Sequence, residues 1–345
     1  MTILIKTLRT PEDLLDAKLT TESLETLQKI HGHFAFGLTP AVQKTLTTAD
    51  FDPIALQYVP RAEELQIQDF ERTDPIWDDD YTPTPGVVHR YPDRCLIKIS
   101  NICPVYCRFC FRKEKIGPGS PALGPKERIK AYAYIQNHPE IWEVILTGGD
   151  PFILNQNLLR EVIEALSEIP HVKIIRVHTR IPFTDPDRIS ESLFDALKTS
   201  KMLIIAVHAN HAQEFSDDAQ KALKKIRLAG IPMVSQTVLL KGINDHPETL
   251  MTLMRTFMEH GVKPYYLHQL DSARGTSHFH VPIERGQEIM EYLRGRLSGL
   301  CQPTYVMDIP GGFGKSPIGP HYLNSEKTEI KDFKGQRHSI EKQYQ

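Results

Sequence analysis

The stretch Arg94–Arg112, RCLIKISNICPVYCRFCFR, decides how the rest of the chain is read. It opens with Cys95–Ser100, an apolar run of strand length rich in isoleucine. Directly after it, Cys103, Cys107 and Cys110 fall within eight residues. The chain has only five cysteines, too few for a disulfide scaffold, and a tight cluster of this kind ligates metal in a reducing compartment. Three thiolates in one loop can hold three irons of a 4Fe–4S cluster and leave the fourth iron open to a ligand. Structural zinc asks for four ligands, commonly from a second Cys-x2-Cys pair, and the sequence contains none. The remaining cysteines stand alone: Cys95 reads as a buried thiol inside a strand, and Cys301 has no ligand partner in sequence.

Outward from this stretch, short β-branched runs alternate with amphipathic segments of helical length, which is the mark of repeated βα units. Strands are expected at Cys95–Ser100, Glu143–Leu146, Lys173–His178, Met202–His208, Met233–Val238 and Pro264–Gln269. Helices are expected near Lys126–Asn137, Leu158–Ser167, Pro186–Lys198, Gln213–Ala229, Pro247–His260 and Arg285–Leu297. The fold class is therefore α/β, a partial (β/α)6 TIM-like barrel with an N-terminal helical extension and a C-terminal tail. Residues 1–88 read as the extension and its acidic, proline-bearing connector, 89–300 as the barrel, and 301–345 as the tail. Polar residues at the C-terminal ends of such strands carry the chemistry. Here they are Asn101–Cys103, Gly148–Asp150, Thr179–Arg180, His208–Asn210, Gln236 and Asp271.

Composition excludes several classes. The 345 residues are 40% hydrophobic and 24% charged, ordinary for a globular protein with a substantial core. A formal charge of −2 gives no pull toward nucleic acid or a membrane surface. The N-terminus lacks the basic-then-apolar layout of a secretory leader, and no apolar run approaches a bilayer span, so a cytoplasmic location is expected.

Other residues suit recognisable ligands. Arg90 and Arg94 precede the first expected strand and could grip a phosphate in bidentate fashion, with Tyr91 placed to stack on a ring. Lys315 sits in Pro310–Lys315, PGGFGK, where glycines let backbone come close to a ligand, although the spacing is not that of a nucleotide P-loop. Arg112 puts a fixed positive charge at the barrel mouth. Asp271 and Asp308 each follow a late strand toward the same mouth, and two carboxylates there would suit a cationic side chain. His178, Arg180 and His211 are further pocket candidates.

CPVYCRFC resembles the cluster motif of the radical S-adenosylmethionine superfamily. RYPDRC, CRFCFRK, LTGGDP, YYLHQLD and PGGFGK resemble the lysine 2,3-aminomutase family in particular, in family order from about Val88 to Pro317. The resemblance implies a barrel of the radical S-adenosylmethionine type and three cofactors: a 4Fe–4S cluster on Cys103, Cys107 and Cys110, S-adenosyl-L-methionine, and pyridoxal 5′-phosphate. It makes Lys315 the Schiff-base lysine and gives the pyridoxal phosphate to Arg90, Tyr91 and Arg94 as well. It assigns the substrate α-carboxylate to Arg112 and the lysine ε-ammonium to Asp271 and Asp308. Gly148, Gly149 and Asp150 resemble the loop at the S-adenosylmethionine amino group; Phe109, His208 and Gln236 would line that cofactor. The implied reaction moves the amino group of L-lysine from C2 to C3 to give β-lysine, with an electron from a cellular reductant such as flavodoxin or ferredoxin.

Three alternatives stand beside this. The same reaction could supply β-lysine for elongation factor P, another amino acid (arginine or glutamate) could be the substrate, or the cysteines could serve a non-enzymatic metal protein. Known lysine aminomutases carry a cysteine-rich C-terminus that binds zinc between subunits. The last 44 residues here contain no cysteine, which leaves the oligomeric state open.

Overall fold

Interior runs such as IIRVHT and MLIIAVH are apolar almost throughout, as strands buried on both faces of a parallel sheet must be. The computed structural model describes residues 6–47, 52–119 and 122–340, so the first five residues of the stretch read for a leader lie outside it. Nine strands form one sheet: β1 (Val87–Tyr91), β2 (Arg94–Ser100), β3 (Glu143–Gly148), β4 (Ile174–Thr179), β5 (Met202–His208), β6 (Met233–Val238), β7 (Val262–His268), β8 (Thr304–Asp308) and β9 (Lys315–Pro317). They lie side by side in chain order. Strands β2 to β8 run parallel, and β1 and β9 cap the two edges antiparallel.

At a spacing of about 4.8 Å, a flat sheet of this width would hold its edges about 38 Å apart. Here they touch. The hydroxyl of Tyr91 on β1 accepts the backbone N–H of Lys315 on β9 at 2.6 Å, so the sheet is curled nearly into a closed barrel. A Cβ on Gly314 would stand 2.7 Å from that hydroxyl, and glycine is what permits the approach.

Side-chain alternation sorts the sheet into two faces. On β4, Ile175 and Val177 belong to the main core, whereas Arg176 and His178 line an internal cavity. On β7, Leu267 belongs to the core and Tyr266 and His268 to the cavity. The chain order of helices begins in the N-terminal region with α1 (Pro11–Asp16), α2 (Leu24–His33), α3 (Pro40–Thr45) and α4 (Pro53–Tyr58). The barrel adds α5 (Pro125–Gln136), α6 (Gln156–Ser167), α7 (Ile181–Thr184), α8 (Glu191–Ala196), α9 (Asp217–Leu228), α10 (Pro247–Glu259) and α11 (Ile283–Arg294).

The six βα units expected from periodicity are present, and their strand ends differ by two residues or fewer. Two helices are shorter than expected. The segment 186–198 splits into a 3-10 turn and α8, and 213–229 into a 3-10 turn and α9. In each case a serine makes the break: Ser190 accepts the N–H of Leu193 and Ser216 that of Ala219, the capping that serine favours over a helix interior. Beyond the six units, the sheet gains β8 and β9 from the C-terminal segment and β1 across the boundary at residue 88.

The N-terminal helices bury a small core of their own, including Leu14, Leu27, Phe36, Leu38 and Tyr58. Val105 belongs to that core and Cys107 packs against it. The extension therefore seats the cysteine loop. Among the described residues, no helix is long and apolar enough to cross a membrane.

Candidate active site

One cavity of about 580 Å³ runs inside the curled sheet, within the usual 300–1,000 Å³ or so of small-molecule sites. It brings together Cys103, Cys107 and Cys110 with Arg90, Tyr91, Arg94 and Arg112, and joins them to Asp271, Asp308 and Lys315 from the far end of the chain. Phe109, Gly148, Gly149, Asp150, His208 and Gln236 line the same space, as do His178 and Arg180. His211 does not. Its Nδ1 accepts the N–H of Gln213 in the turn after β5, so it is a cap and not a pocket residue. Gln236 is corrected in position: it lies inside β6, two residues short of the strand end, and reaches the cavity because it points inward.

Burial pushes the thiols of Cys103 and Cys110 upward and that of Cys107 to about 11, so at neutral pH they ionise only when metal takes them. The Arg112 N–H donates to Cys110 Sγ at 3.4 Å, a bond that favours the thiolate. Among the described residues no three His, Cys, Asp or Glu side chains gather around a single point. The three cysteines line one cavity and lie near enough to act on one another's thiols, which suits a polynuclear cluster in which each would bind a different iron. Cys95 is a different kind of thiol, buried in β2 and pushed up to about 12 by that burial. Cys301 is buried at the end of a 3-10 turn.

Arg108, inside the cysteine motif and 1% exposed, anchors the loop from behind. It forks onto Glu64 at 2.9 and 2.6 Å, Lys113 Nζ joins the same carboxylate at 2.8 Å, and Arg108 also donates to the carbonyl of Ala35. Burial alone would raise the Glu64 carboxyl, but Arg108 and Lys113 overcome it and bring it down to about 2. Glu64→Gln leaves two buried cations without their counter-ion. The expected cost is about 3–5 kcal/mol, read as a melting midpoint roughly 10 °C lower. In the wild type the contribution is whole above the ordinary glutamate range and fades as pH falls toward about 2. An unchanged midpoint in Glu64→Gln would remove the triad from any role in stability.

Glycines bring the β3 loop against the cysteine loop. Gly148 takes φ +107°, and a Cβ there would meet the Ser100 carbonyl at 2.3 Å; one on Gly149 would meet that of Ile102 at 2.3 Å. Asp150 spends its carboxylate within the protein. It accepts from Thr179 Oγ1 at 2.8 Å, from the N–H of Arg180 at 2.7 Å and from that of Phe152 at 3.0 Å. Its chief effect is to tie the β3 and β4 loops together at the rim. Arg180 is bonded to the Tyr58 hydroxyl, stands 3.5 Å from Glu214, and lies over the Phe109 ring at 5.3 Å.

Deeper in the cavity, Lys315 Nζ donates to Asp308 Oδ1 at 2.8 Å. The second oxygen of Asp308 faces His268 Nδ1 at 4.0 Å, and His268 Nε2 bonds the Gln236 side-chain oxygen. Burial, and then the Lys315 charge, hold His268 neutral, down to about 3. Burial and the neighbouring Asp308 push Asp271 up to about 7, against the pull of Lys315 and Arg112. Arg94 is bonded to Asp93 at 2.6 Å and lies 3.8 Å over the Tyr91 ring. Arg112 and Arg90 both bond Asp78.

Among the described residues that line the cavity, Arg90 Nε and His178 Nε2 are buried nitrogens with no partner, and Arg176 Nε makes no hydrogen bond but stands 3.1 Å from the Glu143 carboxylate. His178 Nδ1 meets His208 Nε2 at 3.2 Å, so one tautomeric choice sets whether its other nitrogen donates or accepts. These orphans, with the part-exposed Lys315, are what a wall built for polar ligands leaves behind. Glu64, Asp78 and His268 are absent from the sequence reading. Only the HQLD tetrad beside Asp271 offered a signal for His268; Glu64 and Asp78 lie in segments with no motif.

Fold and site together define an iron–sulfur enzyme of the radical S-adenosylmethionine class, and residues 97–254 match the Radical SAM superfamily. Residues 290–340 match a second family described as Lysine-2,3-aminomutase. The chain is 39% identical to the "Putative L-lysine 2,3-aminomutase" of Aquifex aeolicus, over 94% of this chain and 87% of that one. It is 37% identical to the L-lysine 2,3-aminomutase of Clostridium subterminale, over 92% of this chain and 77% of that protein. A glutamate 2,3-aminomutase from Clostridioides difficile is 35% identical over 90% and 74%. The chain belongs to the lysine 2,3-aminomutase family.

Proposed function

We propose that this enzyme moves the α-amino group of L-lysine from C2 to C3, giving β-lysine, in the cytoplasm and with a one-electron reductant such as flavodoxin or ferredoxin. The observation that carries the substrate is the acidic pair Asp271 and Asp308 in a buried cavity that also holds Arg112. A diamino acid supplies an α-carboxylate for the guanidinium and a distal ammonium for the carboxylates; glutamate would bring a second anion to an acidic wall.

Cys103, Cys107 and Cys110 would hold the 4Fe–4S cluster, and the 148–150 loop, Phe109, His208 and Gln236 would line S-adenosylmethionine. Lys315, Tyr91, Arg90 and Arg94 would hold pyridoxal phosphate. When bound, the cluster supplies the electron, S-adenosylmethionine the hydrogen-abstracting group, and pyridoxal phosphate the covalent hold on the migrating nitrogen. The protein's own work is positional. Arg112 fixes the carboxylate end of lysine, and Asp271 and Asp308 fix the ammonium end, so C2 and C3 are held between them. Asp308 accepts from Lys315 Nζ at 2.8 Å, and with Lys315 holding pyridoxal phosphate it would be left for the substrate cation. The curled sheet, joined along its seam by Tyr91 and Lys315, walls the cavity on that side.

Anaerobically reconstituted protein incubated with S-adenosylmethionine, pyridoxal phosphate and dithionite is expected to convert L-lysine to β-lysine. L-glutamate and L-arginine should give no β-amino product at matched concentration. Turnover of either in place of lysine would overturn the substrate assignment, and the chirality of the β-lysine formed separates free metabolism from supply to elongation factor P.

A further inference from the structure

The segment 74–82, DPIWDDDYT, reads as a connector, yet it delivers Asp78 to the back of the cavity wall, 2% exposed. Asp78 Oδ1 accepts from Arg90 Nη2 at 3.2 Å, and Oδ2 accepts from Arg112 Nε and Nη2 at 3.2 and 2.7 Å. Each oxygen thus serves one arginine. The arginines come from separate elements, β1 and the turn after Cys110, and both line the cavity while Asp78 stands behind them. The loop is built to hold this place. Asp74 accepts the N–H of Asp78 at 3.1 Å and that of Asp79 at 2.9 Å. Trp77 adopts φ +55°, uncommon for a bulky residue, and Gly312 of the Lys315 loop packs against Trp77 and Tyr81.

We propose that Asp78 is a shared positioning residue that fixes the guanidinium planes of Arg90 and Arg112 at a set separation, so that a phosphate and an α-carboxylate are received in register. The proposal rests on the reading of Arg90 and Arg112 given above. An arginine free to rotate loses conformational freedom when it binds an anion; one gripped from behind has lost it already. The grip also leaves donors for ligands, since Arg90 Nε is buried without a partner. Arg90 Nη2 keeps a second bond, to the carbonyl of Ile76 at 2.7 Å, but without the carboxylate the two guanidinium groups would repel each other and their separation would no longer be set. Asparagine cannot replace it, because its oxygen serves one arginine while its NH2 faces the other.

The test uses full-length reconstituted protein without reductant. Pyridoxal phosphate is titrated into the cofactor-free form by absorbance. L-lysine and its carboxylate-free analogue 1,5-diaminopentane are titrated into the loaded form by calorimetry. Asp78→Ala is expected to weaken pyridoxal phosphate and lysine each by about 10- to 100-fold, the scale of a lost charged hydrogen bond, with 1,5-diaminopentane within about twofold. Asp78→Asn, which preserves volume, should weaken at least one of the two anions about tenfold even where the alanine variant fails to fold. Equal weakening of lysine and diaminopentane, or wild-type affinities in Asp78→Asn, overturns the proposal. Arg112→Ala separates the two levels. If it leaves lysine affinity unchanged, the carboxylate reading fails and the proposal with it; if it weakens lysine while Asp78→Asn does not, only the proposal fails.

Discussion

Cys107→Ala is expected to abolish β-lysine formation and the iron–sulfur absorbance, while the metal-free chain keeps its fold. The thiol sits where the two small cores meet, against the cluster around Leu14 and Tyr58 and the one around Leu240 and Phe279. With its proton held by burial, up to about 11, it behaves in the metal-free chain as a small apolar side chain. Alanine removes one sulfur from that contact, a packing loss of about 1 kcal/mol. The chemical loss is of another order. Two remaining cysteines leave one more iron without a protein ligand, and an enhancement of at least about 10⁶-fold depends on the cluster. Iron and sulfide content, visible absorbance and β-lysine formation measure the first effect; the unfolding midpoint of the metal-free protein measures the second. Cys95→Ala is the matched control, since Cys95 is a core residue of β2 and should leave the iron content unchanged. A Cys107→Ala protein that retained its iron and turned over lysine would sink the cluster assignment.

Asp271→Asn should raise the KM for lysine by about 10- to 100-fold, the scale of a charge-assisted contact, and flatten its pH dependence. Asp308, Lys315 and Arg112 line the same cavity as Asp271, with Asp78 behind Arg112, and burial with Asp308 raises its carboxyl to about 7. Below that pH the group is protonated and offers a cation no charge. As pH rises through about 7 it ionises, so the wild-type KM for lysine should fall across that interval and level off above it. The asparagine variant lacks the Asp271 carboxyl, so its KM should stay high and lose the fall from pH 6 to 8 (about the span over which a group near 7 titrates). A wild-type KM that rises through this interval, or a variant that keeps the wild-type profile, would show that another group controls binding of the cation.

How much of this was legible in the sequence depends on how far apart the interacting groups lie along the chain. The βα rhythm was legible because parallel strands are buried on both faces and announce themselves as apolar runs. β1 and β9 were not. The strand ahead of Asp308, now β8, was expected only as a late strand without bounds, and VVHRY and KSP are short and become strands only because a neighbouring strand completes their hydrogen bonds. The false continuity of two helices came from reading periodicity through Ser190 and Ser216, whose hydroxyls compete for the backbone and start new helices.

The same division runs through the site. By itself the sequence determined the cysteine loop after a strand, the lysine in its glycine-rich turn, and the arginines and aspartates placed at strand ends, because each depends on local spacing. Only the tertiary structure decided what those groups touch. It set Glu64 under Arg108, gave Arg90 and Arg112 a common carboxylate in Asp78, and tied Asp150 to the β3 and β4 loops. Charge pairing inside a protein is fixed by burial and distance in space. Residues 34 positions apart, such as Asp78 and Arg112, leave no periodic trace of it in the chain.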